Sequence, residues 1–206
     1  MSKFRRQLMM ASLVEPVPPT PPLPYDAEVE YLESTGTQYI DTGITPAANL
    51  SFSVTYQNSN SGGTTPGYGN VFGARYASQD NEYQVSQYSS GTVSIGTRNN
   101  NLGFNSTSKT TIEFNGSNTV TINGGTTKTV TTSAITKNTG SIILFGIRNG
   151  GTVSQLQAGK IYAVSFGSVR DYIPVRVGQV GYMYDRVSGQ LFGNAGTGDF
   201  ILGNDV

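Results

Sequence analysis

The stretch LSFSVTYQ, residues 50–57, constrains the fold more than any other part of the chain. Leu50, Phe52, Val54 and Tyr56 fall on one side of an extended backbone, and Ser51, Ser53, Thr55 and Gln57 on the other. Side chains alternate faces along a strand, so a period of two describes an antiparallel strand with one face packed and one wet. The alternation returns in TVSIGTR (92–98) and TTIEFNG (110–116). TVTINGGTTKTVT (119–131) is two such runs around Asn123-Gly124, a type I′ hairpin signal because both central residues need positive φ. SIILFGI (141–147) is apolar on both sides and reads as a central strand buried on both faces. KIYAVSFG (160–167) and RDYIPVR (170–176) follow, Pro174 marking a sheet edge or strand end. GYMYDRVSGQLFGN (181–194) is a last hairpin turning at Ser188-Gly189. No ten-residue helical pattern interrupts the series. Ten or more short strands predict an all-β, two-sheet sandwich.

Composition narrows the chemistry. The chain has 206 residues and contains no Cys, His or Trp. Disulfides, thiolate chemistry, the commonest general base and the commonest transition-metal ligand are therefore excluded. Lys and Arg total 13, as do Asp and Glu, so the net charge is zero, which argues against nucleic acid as a partner. No apolar run reaches the roughly 20 residues of a membrane-spanning helix.

The first 24 residues differ from the rest. Residues 1–14 form a basic and apolar arm, with Phe4, Arg5, Arg6, Leu8, Met9 and Leu13 as docking candidates. The arm is a poor signal peptide: Glu15 follows a minimal apolar stretch, and no small-x-small cleavage site stands out. EPVPPTPPLP (15–24) has six prolines in ten residues and forms a stiff polyproline II spacer. An arm of this composition is ordered only against a partner. The expected organisation is an extended docking arm and proline-rich linker over 1–24, then one domain over 25–206.

Several phrases occur in a telling order: EYLESTGTQYIDTGI (30–44), VFGAR (71–75), LFGIRNGG (144–151), KIYAVSFG, RDYIPVR and VGYMYDRVSGQLFGNAGTGDF (180–200). The chain resembles the concanavalin A-like lectin/glucanase superfamily, and within it the laminin-G-like, pentraxin-like modules of gut bacteria and their bacteriophages. The resemblance implies a jelly-roll sandwich of two antiparallel sheets and carbohydrate binding without catalysis. It also implies a place on phage virions, as a head-fibre or capsid-decoration subunit. The partners expected are other virion proteins through the arm, further copies of the chain in a homo-oligomer, and host or mucosal glycans. The alternative is a secreted or surface carbohydrate-binding protein of a gut bacterium.

Three sets of site residues follow. For sugar binding, an aromatic platform with nearby amides is needed, and Tyr68, Tyr76, Tyr83 and Tyr88 are the candidates. EVEYLE (28–33) resembles the Glu-x-Asp-x-x-Glu signature of laminarinase-type glycoside hydrolases. It has Glu where the signature has Asp, lies directly after the linker, and lacks any Trp. It is expected instead to be a solvated edge strand, glutamates outward, with Val29 and Tyr31 inward. For metals, Asp80, Asn81 and Glu82, and separately Asp185, Asn194 and Asp199, lack the spacing of a calcium loop. Asx capping is the expected role, calcium remains possible, and no other cofactor is expected. The arginine-aspartate pairs at 170–171 and 185–186 are expected to be exposed and weak.

Overall fold

The computed structural model describes residues 22–59, 69–77, 80–86, 91–103 and 107–206, and none of these is helical. The docking candidates of the arm lie outside the described residues, as do Tyr68 and Tyr88.

The strands run β1 (Ala27–Glu28), β2 (Leu32–Thr35), β3 (Ile40–Asp41), β4 (Phe52–Asn58), β5 (Asn70–Ala77), β6 (Asp80–Ser86) and β7 (Thr92–Gly96). They continue through β8 (Arg98–Asn101), β9 (Thr110–Phe114), β10 (Thr119–Ile122), β11 (Thr126–Thr129), β12 (Ile143–Leu144) and β13 (Ile147–Asn149). The last are β14 (Thr152–Ser154), β15 (Ala158–Phe166), β16 (Arg170–Val177), β17 (Val180–Asp185), β18 (Gln190–Phe192) and β19 (Ile201–Leu202). The larger sheet has the order β11-β10-β9-β4-β15-β16-β17-β18, with β1, β2 and β19 attached, and the smaller has β14-β13-β5-β6-β7-β8, with β3 and β12 attached.

β4 alternates as its residues dictate: Phe52, Val54 and Tyr56 are buried between the sheets and Ser53, Thr55 and Gln57 are not. Asn123 and Gly124 have φ of 51° and 66°, closing the β10–β11 hairpin. Phe52, Phe72 and Phe166 meet edge to face, with centroids 5.0 and 5.2 Å apart.

The larger sheet forks, and the first and last strands fill the fork. β15 pairs with β2 over Ala158–Ile161 but with β16 over Val164–Phe166. β1 lies against the far half of β16, Glu28 opposite Val175, and β19 pairs with β2, Ile201 opposite Glu33. β1 and β2 are thus flanked on both sides instead of forming an edge. Their inward residues are Val29 and Leu32, three apart, so the alternation slips at Glu30-Tyr31 and Tyr31 faces out.

Pro174 is also not at an edge. It pairs with Met183 in mid-strand, and its carbonyl accepts the Val29 N–H at 3.0 Å. A residue's N and O point the same way in a strand, so the missing N–H of Pro174 faces the fork, where β16 changes partner and no ladder bond is lost.

The apolar run 141–147 is buried on both faces but is not one strand. Phe145 has φ +63°, a backbone bulky residues rarely adopt. Around it β12 runs antiparallel to β5 and β13 parallel, the one parallel pairing among the described strands. Phe145 is held there by its N–H on Val71 O (2.7 Å), its carbonyl on Gln157 N (2.8 Å) and its ring 5.2 Å from Phe200.

Candidate functional site

In β5, β6 and β7 both faces are buried. Phe72, Ala74, Tyr83, Val85, Val93 and Ile95 fill the core side. The opposite side is polar, in three rungs across β5 and β6: Asn70 with Ser86, Gly73 with Gln84, Arg75 with Glu82. Ser94 continues the middle rung into β7, and Ser154 of β14 lies opposite Ile147, whose side chain abuts Gly73 on the same face. Ser133 lies over Gly96 at one end of the layer.

This layer is hydrogen-bonded incompletely. Arg75 Nη1 stands 3.5 Å from Glu82 Oε1, the two side chains only 7% and 3% exposed. Gln84 Nε2 donates to Glu82 Oε2 and Ser94 Oγ, both at 3.3 Å, and Ser94 Oγ donates to Asn99. Asn70 Oδ1, Arg75 Nε, Gln84 Oε1, Ser86 Oγ and Ser154 Oγ are buried and have no partner. Each such atom costs about 1–3 kcal/mol unless something meets it. None of the five has surface open to solvent, so the layer is interior to the fold.

Of the tyrosines singled out in the sequence, Tyr83 is a correction. It is fully buried on the core side, its hydroxyl bonded to Leu50 O at 2.7 Å and its own pKa pushed well up by burial. A ligand cannot reach its ring. Tyr76 ends β5 and is 47% exposed. It lines a depression of about 260 Å³ with Asn138, Gly140, Gly150 and Gly151. Lys137 Nζ stands 4.6 Å over its ring and pairs with Asp80, whose carboxyl is thereby held low. Tyr68 and Tyr88 are each two residues along the chain from a rung, at Asn70 and Ser86.

A second concavity lies on the outer face of the larger sheet, and sequence reasoning missed it. Its volume is about 470 Å³, and its lining includes Glu28, Glu30, Lys109, Tyr162, Ala163 and Ile173. Lys109 covers the Tyr162 ring at 4.1 Å, and Tyr31 packs on that ring at 5.5 Å. The EVEYLE glutamates are outward, as expected, but divided. Glu28 accepts the Tyr25 hydroxyl at 3.0 Å, and Glu30 accepts Asn204 Nδ2 at 3.2 Å. Glu33 lines a separate hollow beside Lys160, 3.8 Å away.

The asparagines weighed for calcium serve the chain itself. Asn81 Oδ1 accepts the Lys137 N–H at 3.0 Å, and Asn194 Oδ1 those of Tyr39 (3.1 Å) and Gly196 (2.8 Å). Among the described residues no group of three or more His, Cys, Asp or Glu is placed to hold a metal ion. Asp185 is fully buried, against the exposed pair expected from the sequence, while Arg186–Asp171 is exposed as expected.

Fold and site together define a two-sheet, antiparallel β-sandwich module. No family model matches the chain, and no curated protein sequence does. Among solved structures it is similar to the CBM40 of the Ruminococcus gnavus IT-sialidase bound to α2,3-sialyllactose. That match has 12% identity and TM-score 0.49, over 67% of this chain and 89% of that one. It is also similar to NanB with Optactamide (12%, TM-score 0.44, 81% of this chain and 38% of that one). A point mutant of NanB sialidase from Streptococcus pneumoniae matches at 13% identity and TM-score 0.42, over 85% of this chain and 39% of that one. At such values the likeness carries nothing about ligand or activity, and the sandwich class rests on the strand pairing itself.

Proposed function

We propose that the chain is a non-catalytic glycan-binding module whose ligand packs on the exposed ring of Tyr76. One observation carries this: Tyr76, 47% exposed at the end of β5, lines a depression of about 260 Å³ with Asn138, Gly140, Gly150 and Gly151. A sugar can lay an apolar face on the ring while its hydroxyls meet the Asn138 amide and the glycine backbone. Retaining glycoside hydrolysis needs two carboxylates about 5–5.5 Å apart in one cleft; Glu28 and Glu33, the two ends of the EVEYLE signature, line different concavities. Glycan-array binding by the full chain, followed by calorimetry on Tyr76→Ala, tests this. Glycan binding that falls at least about tenfold in the variant supports the reading. Equal binding, or none by the intact chain, ends it.

We infer further that the module is a phage head-fibre or capsid-decoration subunit, docked by residues 1–14 as a homo-oligomer on other virion proteins. The family phrases, the basic and apolar arm and the proline spacer support this. Deleting residues 1–14 then abolishes incorporation into particles while the body stays folded; unchanged incorporation counts against it. Lys3, Arg5 and Arg6 ahead of Leu8–Val14 favour a second reading, a secreted or surface carbohydrate-binding protein, which cleavage between residues 10 and 25 would support.

A further inference from the structure

We propose that the concavity on the outer face of the larger sheet receives the basic arm of a neighbouring copy, Arg5 and Arg6 against Glu28 and Glu30, Phe4 against Ala163 and Ile173. This deepens the homo-oligomer part of the docking reading above, is independent of the glycan reading, and leaves Leu8, Met9 and Leu13 for the virion proteins. The concavity is open: Glu28, Glu30 and Lys109 are exposed, and Tyr162, Ala163 and Ile173 are half-buried along its lining. Its two carboxylates are not neutralised. Glu28 accepts the Tyr25 hydroxyl at 3.0 Å and Glu30 accepts Asn204 Nδ2 at 3.2 Å, both neutral donors. Among the described residues neither enters an ion pair. Lys109 is the cation of the lining, and its ammonium sits over the Tyr162 ring at 4.1 Å. Negative charge is thus in excess beside an apolar surface.

The arm has the complementary chemistry. Lys3, Arg5 and Arg6 bring three positive charges within four residues, Phe4 stands among them, and no acidic residue precedes Glu15. Guanidinium groups pair with carboxylates through two parallel hydrogen bonds, and arginine and aromatic side chains are the usual anchors of an interface. Chain geometry assigns the contact to another copy. Tyr25, where the spacer ends, is fixed beside the concavity: its ring packs on Tyr184 at 5.0 Å, its hydroxyl bonds Glu28, and the Asp26 N–H donates to Arg176 O at 2.9 Å. The ten residues of the spacer, Glu15 to Pro24, are six-tenths proline and span about 31 Å at roughly 3.1 Å per residue. A stiff rod held at one end does not bring its far end back to the anchor. A return of Arg6 to its own concavity would need residues 7–14 stretched nearly to their limit, roughly 3.5 Å each, back along the spacer.

The experiment compares the sedimentation of the intact chain with that of two full-length variants. Arg5→Glu with Arg6→Glu has an acidic arm and an acidic concavity; Glu28→Lys with Glu30→Lys has a basic arm and a basic concavity. The intact chain should associate, and each variant alone should associate at least about tenfold more weakly. An equal mixture of the two should recover at least about tenfold, because each arm then meets the opposite charge on the other chain. A variant that associates as the intact chain does, or a mixture no tighter than its components, overturns the proposal and leaves the homo-oligomer to another surface. An intact chain that stays monomeric overturns both the proposal and the homo-oligomer reading, with glycan binding untouched. Should Glu28→Lys with Glu30→Lys fail to fold, Lys109→Gln takes its place. It removes the ammonium that competes for the same carboxylates, so association should tighten at least about twofold; no tightening overturns the proposal.

Discussion

The carboxylate of Asp185, fully buried where the last hairpin begins, takes the hydroxyl of Ser188 at 2.5 Å. It also accepts the N–H groups of Asp171 at 2.8 Å, Ser188 at 3.1 Å and Val187 at 3.2 Å, tying β16 to the turn between β17 and β18. Burial alone pushes this carboxyl up, but the Asp171, Ser188 and Val187 bonds outweigh it and hold the group below the usual carboxylate range.

A depressed folded pKa contributes stability that is present above the unfolded value, about 3.9, and is lost as pH falls through the folded one. Denaturation midpoints should therefore be flat near neutrality and drop below about pH 4. Asp185→Asn should cost about 1–3 kcal/mol at pH 7, because buried N–H groups lose their acceptor, and should shrink that acid drop. An unchanged acid limb in the variant would refute the assignment.

The polar layer of the smaller sheet predicts that losing a hydroxyl is harmless there. Ser86→Ala and Ser154→Ala each remove a buried hydroxyl that has no partner in the chain. Chemical denaturation should show unchanged or higher stability, by about 1 kcal/mol at most. Clear destabilisation would mean that those hydroxyls are satisfied within the fold.

Gly196 lets the loop before β19 press against the β2–β3 connection: a Cβ there would collide with Thr37 O and come within 3.1 Å of Gln38 Cα. Gly196→Ala should cost about 1–3 kcal/mol. Gly125→Ala, whose new Cβ would meet nothing closer than 4.0 Å, should stay within about 0.5 kcal/mol. Urea midpoints of the two variants, measured side by side, check this.

The fork in the larger sheet predicts where proline is tolerated. Pro174→Ala should change stability by less than about 1 kcal/mol, since no ladder donor is gained or lost on the fork side. Val164→Pro should cost about 3 kcal/mol or more, because Val164 is paired on both sides, with Val54 and Tyr172. Similar midpoints for the two would contradict the pairing.

Much of the sandwich was legible in one dimension because it depends on local rules. Period two placed Phe52, Val54 and Tyr56 in the core, Asn123-Gly124 set a hairpin, and the glycines of 196–198 brought Phe200 back beside the first strands, where β19 pairs with β2. Such features need only chirality, side-chain alternation and the permissive backbone of glycine and asparagine.

What the alternation cannot state is which strand lies beside which, or what covers the second face. Pro174 signals an edge until β1 is known to fill a fork, and Phe145 belongs to one strand until its neighbours reverse it. Tyr83 and Gln84 are neighbours in a strand that alternates, and the sequence does not say which of them faces the core. Only the pairing of β5, β6 and β7 puts the phenol in the core and the amide in the polar layer on the other face. The residues themselves settled the strand-rich class and the inward sides of single strands. Long-range pairing settled which side chains meet, because residues far apart in the chain come to share one sheet face.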